Sequence, residues 1–242
     1  MKKIFDLLTS TLFPSVTCVA CHDPRRLNHG AALCDRCMLE LEEERLTDLI
    51  CPRCLSPKRR NSVCQFCLDG GMEGLTAAYS PFHYHGVARS LIISFKFGSV
   101  LDAGILLSKT MAAEIKGLFF DAIAPVPLHP KRLNERGFNQ ALTLCELIGK
   151  ENNIPVMEPL IRVKHTKQQA KIRKTSNRCK NVDSAFLIKE DVSGLHILLV
   201  DDVRTTGATA RACAQTLLKA GAKEISLLTA AVAPHKEGKT TI

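Results

Sequence analysis

Four Cys-x-x-Cys pairs crowd the first 67 residues: Cys18/Cys21, Cys34/Cys37, Cys51/Cys54 and Cys64/Cys67. Two residues between thiolates let both sulfurs meet one ion from a tight knuckle, and two knuckles complete the tetrahedral four-sulfur shell that zinc accepts. The segment has few aliphatics between its cysteines, so bound metal must supply folding energy that a core would otherwise give. The pairs are separated by 12, 13 and 9 residues. Sequential pairing makes two zinc ribbons, Cys18-Cys21-Cys34-Cys37 and Cys51-Cys54-Cys64-Cys67, whereas a cross-brace would join the first pair to the third. Sequential pairing is favoured because each ribbon then closes its own short loop.

The remaining signals in this half are weaker. His22 and His29 could substitute as ligands, though the cysteine count needs neither, and Arg25, Arg26, Arg53, Lys58, Arg59 and Arg60 leave room for an accessory nucleic-acid contact. Cys145, Cys179 and Cys213 stand singly and read as packing or surface thiols. The N-terminal MKKIFDLLTSTLFP is broken by Asp6, Thr9, Ser10 and Thr11, and reads as an amphipathic helix with Ile4, Leu7, Leu8 and Leu12 on one face. No stretch approaches the roughly 18 to 20 apolar residues that a bilayer demands. Metal-binding cysteines in a thiol-reducing compartment therefore predict a cytoplasmic chain with no membrane insertion.

Past Asp69-Gly70-Gly71 the cysteine-rich composition stops, which divides the chain into 1–72, the N-terminal helix and double ribbon, and 73–242. The second part alternates strands and helices: strand 75–82, helices near 86–97 and 100–116, strand 121–127, a helix from Asn139 to about Asn152, short strands near 155–162 and 184–189, strand 196–202, helix 207–220 and strand 224–232. The expected fold class is α/β, a parallel sheet with helices on both faces. In such sheets ligands collect at the carboxyl ends of the strands.

One strand end carries unusual chemistry. LLVDDVRTTGATA, residues 198–210, runs from buried-looking aliphatics into two carboxylates and then into a hydroxyl-rich turn that starts a helix. Free amides of a first helical turn, the positive helix end and three threonine hydroxyls make a cradle for phosphate, and Gly207 lets backbone approach it. Asp201 and Asp202 would repel that phosphate, so they suit hydroxyl donors or a cation: a ribose diol, or magnesium through water.

VDDVRTTGAT resembles the ribose-phosphate loop of the type I phosphoribosyltransferases. By position, that resemblance gives the diol to Asp201 and Asp202 and the 5-phosphate to Thr205, Thr206, Gly207, Ala208 and Thr209. It also gives diphosphate to the loop after the second core strand, Pro127, Leu128, His129, Pro130, Lys131 and Arg132. PVPLHPKRLNERGFNQA at 125–141, HTKQQAKIRKTSNRCKNVDSAF at 165–186 and the leading cysteine pairs are together similar to the ComF competence-protein family, which joins a double zinc ribbon to a phosphoribosyltransferase-like domain. Arg136-Gly137-Phe138-Asn139-Gln140 is the most distinctive piece, and Thr166, Gln169, Arg178 and Asn181 fall where the family's basic segment has them.

The residues and the resemblance together support two functions. The first is a platform for phosphoribosyl diphosphate and single-stranded DNA, serving DNA uptake, natural transformation or use of DNA as a nutrient, with DNA-uptake proteins as partners. Lys plus Arg exceed Asp plus Glu by 33 to 24, and eight cationic residues with no acidic one lie between Pro159 and Val182. The nucleic-acid track comprises Lys164, Lys167, Gln169, Lys171, Arg173, Lys174 and Arg178, with Arg136, Asn139 and Gln140 beside it. Phe66, Phe82, Tyr84 and Phe138 are the available stacking platforms. The alternative is an active, amidophosphoribosyltransferase-like enzyme with a small-molecule acceptor, magnesium and Lys131/Arg132 stabilising the departing diphosphate. After the last strand, where many relatives of this fold carry base-recognition residues, the chain offers only APHKEGKTTI.

Overall fold

A computed structural model describes residues 17–23, 31–46, 50–56, 64–98, 100–128, 130–163 and 185–233. The expected N-terminal helix lies outside these residues, as do His129 and the basic segment from Lys164 through Arg178.

The described chain runs α1 (Asp35–Glu43), α2 (Gln65–Leu68), β1 (Ala78–Tyr79), β2 (Phe82–His83), α3 (Gly86–Phe97), α4 (Leu101–Glu114), β3 (Ala122–Pro125), α5 (Pro130–Arg136), α6 (Gln140–Asn152), β4 (Leu160–Arg162), β5 (Phe186–Ile188), β6 (His196–Arg204), α7 (Ala208–Lys219) and β7 (Glu224–Val232). The main sheet is parallel throughout, ordered β1-β7-β6-β3, with β2 also on β7. β6 and β7 form its centre because their aliphatic runs have no exposed face: Ile197 through Val200 are fully buried. Alternation sends Leu198, Val200 and Leu228 into one cluster, with residues of α3, α4 and α6. It sends Ile197, Leu199 and Leu227 into the other, with α7. Cysteines of the first ribbon join the former cluster and those of the second ribbon the latter, so packing runs continuously across residue 72.

Four expected stretches differ. Strand 75–82 is split: Ala78↔Leu227 and Phe82↔Ala231 keep one register along β7, but Ser80-Pro81 interrupts the ladder, since proline has no N–H to donate. The short strands near 155–162 and 184–189 shrink to β4 and β5, which pair antiparallel with each other, away from the parallel sheet. Residues 130–136, of which Pro130, Lys131 and Arg132 were expected in the diphosphate loop, form α5, a helix with no buried residue and therefore no hydrophobic periodicity to betray it.

Candidate functional site

The cysteines gather as two sequential groups, Cys18-Cys21-Cys34-Cys37 and Cys51-Cys54-Cys64-Cys67, the sulfurs of each lying within 4.8 Å of one another. Four sulfurs at 2.3 Å from a tetrahedral zinc sit about 3.8 Å apart. Cys21 and Cys34 Sγ are 3.8 Å apart, Cys51 and Cys67 Sγ 3.8 Å, and Cys54 and Cys64 Sγ 3.4 Å, far beyond a disulfide. The residues fit zinc, and the ion would act there as a structural staple. Each knuckle turns alike. His22 (φ 59) donates its N–H to Cys18 O at 2.8 Å, and Leu55 (φ 57) donates to Cys51 O at 2.8 Å.

At the end of β6 a cleft is lined by Asp201, Val203, Arg204 and the turn from Thr205 to Ala210, with Leu227 and Thr229 of β7 behind it. Thr205 and Thr206 are exposed, and Gly207 starts α7 in the left-handed region (φ 70) with no side chain capping the helix. The Ala208 amide at the start of α7 donates to Thr206 Oγ1 at 3.4 Å, a long local bond, and this end of the helix lies on the cleft, where an anion can compete for the first-turn amides. The two acids part company. Consecutive strand residues point to opposite faces, so Asp201 lines the cleft while Asp202 forms an ion pair with Lys96 Nζ of α3 at 2.7 Å. Burial first, and the neighbouring Asp202 second, push the Asp201 carboxyl up to about 7. Lys96 and Arg162 of β4 oppose that rise.

Other expected site residues fare unevenly. Leu128 ends the described stretch after β3, and Lys131 and Arg132 lie exposed on α5, on the side where the diphosphate loop was expected. Gln140 is a correction: it is 1% exposed, its Nε2 donating to Lys96 O at 3.5 Å and its Oε1 accepting from Arg136 at 3.0 Å, so it faces no nucleic acid. Asn139 caps α6, accepting from Ala141 N at 3.1 Å, and donates to Val126 O at 3.4 Å. The RGFNQ stretch thus joins α5 to α6 and supports the Lys96 end of α3. Two of the four stacking platforms are also corrected. Phe66 lies under Arg204 and Phe82 under Arg45, both buried, whereas Tyr84 and Phe138 are only partly buried against the core. Phe97 instead is 70% exposed, with the Arg136 guanidinium 4.9 Å from its ring centroid.

Sequence reasoning gave no role to Lys96 or Arg204, and read Arg162 only as one cation of the 159–182 basic segment. Only Arg204 carried a signal, a long cation between two acids and a phosphate turn, and it faces away from solvent, 3% exposed.

Residues 158–241 match the phosphoribosyl transferase domain family. The competence protein ComFC of Bacillus subtilis is 32% identical over 203 residues, covering 78% of this chain and 79% of that protein. The chain belongs to the ComF family. ComFC of Streptococcus pneumoniae is 29% identical over 204 residues, 82% of this chain and 86% of its own length. The DNA utilization protein YhgH of Escherichia coli is 30% identical over 227 residues, 87% of this chain and 94% of its own. This ComF-family chain thus has the parallel sheet of the phosphoribosyltransferase type preceded by two four-cysteine clusters, and among its described residues no helix is long and apolar enough to cross a membrane.

Proposed function

We propose that this ComF-family chain binds phosphoribosyl diphosphate with magnesium at the end of β6, and single-stranded DNA beside it, in the cytoplasm and in the service of DNA uptake or DNA utilisation. The observation that carries the reading is an acid and an anion cradle sharing one cleft, Asp201 with the turn Thr205 to Thr209. A sugar phosphate offers hydroxyl donors to the one and a dianion to the other. In this reading Thr205, Thr206, Gly207, Ala208 and Thr209 hold the 5-phosphate, Asp201 and Asp202 the ribose diol, and Leu128, His129, Lys131 and Arg132 the diphosphate. Magnesium, when bound, screens the diphosphate charge. Binding of the diol by Asp202 would draw on the carboxylate that Lys96 now holds at 2.7 Å. Relatives named for competence and for DNA utilization support the DNA role. The Phe97 ring under Arg136 supplies the exposed aromatic face that base stacking needs.

Phosphoribosyl transfer is the second reading. Asp201 lines the same cleft as the turn, beside the place an acceptor would enter, and burial together with the neighbouring Asp202 raises its carboxyl, which suits it to take a proton.

Calorimetric titration of phosphoribosyl diphosphate and magnesium tests the first reading. Asp201→Asn with Asp202→Asn abolishes binding while zinc content stays unchanged; undiminished affinity would refute the assignment. Single-stranded oligonucleotide affinity falls with salt at a log–log slope of about 0.7 per neutralised phosphate, and Phe97→Ala weakens it about tenfold or more. Diphosphate release that requires an acceptor would favour the enzyme over the platform.

A further inference from the structure

The turn that follows the two acids is braced by the second ribbon. Arg204, the last residue of β6, is 3% exposed. Its Nη2 donates to the Cys54 carbonyl at 2.6 Å and to Ser56 Oγ at 3.1 Å, and its guanidinium carbon lies 4.7 Å from the Phe66 ring centroid. Across the turn, Arg211 Nη1 donates to Thr206 O at 2.9 Å and to Gly71 O, just beyond the ribbon, at 3.3 Å. A Cβ at Gly207 would stand 3.3 Å from Phe66 Cζ and 3.4 Å from Gly71 O, so the turn is pressed between α7 and the ribbon. The carbonyl that receives Arg204 belongs to a metal-ligand residue. Its direction follows from the knuckle in which Leu55 N–H closes on Cys51 O at 2.8 Å.

We propose that the second ribbon is a working part of the anion site. Arg204 is a positioning residue that ties the Thr205 to Thr209 turn to the knuckle of Cys51 and Cys54, so the turn keeps its binding geometry only while that cluster holds its metal. This rests on the reading of the turn as a phosphate cradle. The zinc of the second cluster touches no ligand in this scheme. Bound by Cys51, Cys54, Cys64 and Cys67, it would hold the knuckle that aims the Cys54 carbonyl; that carbonyl orients the Arg204 guanidinium, and Arg204 in turn anchors the backbone that leads into the turn.

The test uses the full zinc-loaded chain, with ribose 5-phosphate as the titrated probe and amide hydrogen exchange as a second readout. Arg204→Met keeps the aliphatic stem and removes the donors. It lowers ribose 5-phosphate affinity at least tenfold and speeds exchange of the 205–209 amides, while amides of α3 keep their protection. Arg204→Lys, which retains one donor, recovers part of the affinity. Should Arg204→Met unfold the chain, Arg211→Met supplies the same reading from the more accessible brace, with about threefold weaker binding. Cys67→Ser, which strips the second cluster without touching Arg204, reproduces the loss while one zinc per chain remains. Unchanged affinity and unchanged exchange in Arg204→Met, alongside lost binding in Asp201→Asn, would overturn the coupling and leave the site itself standing. No ribose 5-phosphate binding by the parent chain, or full binding by Asp201→Asn, would overturn both.

Discussion

The first ribbon turns its knuckle at His22 and the second at Leu55, in nearly the same left-handed conformation, yet the two dock on different parts of the sheet. Past α1, the first ribbon meets the start of the scaffold. Glu44 accepts from the amides of Val87 and Ala88 at 2.8 Å each, Arg45 lies over Phe82 and pairs with Glu114 at 3.3 Å, and Leu46 N–H donates to Pro81 O at 3.0 Å. The second ribbon meets β1 through Ala78 N–H to Arg53 O at 3.2 Å, and meets the anion turn through Arg204 and Phe66. Two units of one design thus divide their labour by what they touch. Stapling α3 to the edge of the sheet is a matter of stability, whereas bracing the turn after β6 is a matter of binding.

The division predicts opposite phenotypes. Cys18→Ser with Cys37→Ser removes one zinc and the support of α1, whose Leu41 is fully buried in the α3/α4 cluster. Unfolding by urea should show a loss of about 4 kcal/mol or more, because structural zinc contributes folding energy directly. Any of the variant that remains folded binds ribose 5-phosphate with near-parental affinity. Retained stability with lost binding would reverse the assignment of the two ribbons.

The acid on the second ribbon's side of the sheet gives a sharper, smaller effect. Asp201 is raised to about 7 in the folded protein, against an ordinary carboxylate value near 3.9 in the unfolded chain. Between those values the native state holds the extra proton, so this group makes stability fall as pH rises from about 4 to about 7, and the loss persists above. Asp201→Asn removes the ionisable group. Its stability gain over the parent should widen by about 1 kcal/mol between pH 6 and pH 8, measured by urea unfolding. A gap that stays constant across that range would mean that the carboxyl ionises freely at the mouth of the cleft.

Sequence alone made the ends of this comparison legible and left its middle hidden. β6, β7 and α7 were readable because long aliphatic runs meet sharp polar boundaries, and sequential cysteine pairing follows from short loop closure. β1 and β2 were blurred because a proline inside an edge strand leaves the register intact while cutting the ladder. Exposed α5 gave no periodicity. Gln140 and Phe66 carry side-chain types common at nucleic-acid surfaces, but their roles depend on Lys96 and Arg204, which are distant in sequence. The site acids were legible as a pair. That one would be spent on Lys96 was not, because the ion pair depends on how α3 lies against β6.

The smallest effect tests the joint of the first ribbon. Glu44 is the acceptor for two amides that the start of α3 would otherwise leave without intrahelical partners, and Gly86 beside it (φ 44) leaves room for the carboxylate, since a Cβ there would collide with Glu44 Oε1. Glu44→Ala withdraws both acceptors and the negative charge at the positive helix end, a change of the size of a lost N-cap, about 1 kcal/mol. Thermal unfolding should register it as a shift of a few degrees, while ribose 5-phosphate affinity and the exchange of the 205–209 amides stay as in the parent. Arg204→Met should do the converse on the binding side. If Glu44→Ala weakened the anion site as much as Arg204→Met does, α3 would be carrying strain to Asp202 through Lys96, and the two ribbons would be acting on one site from opposite faces of the sheet.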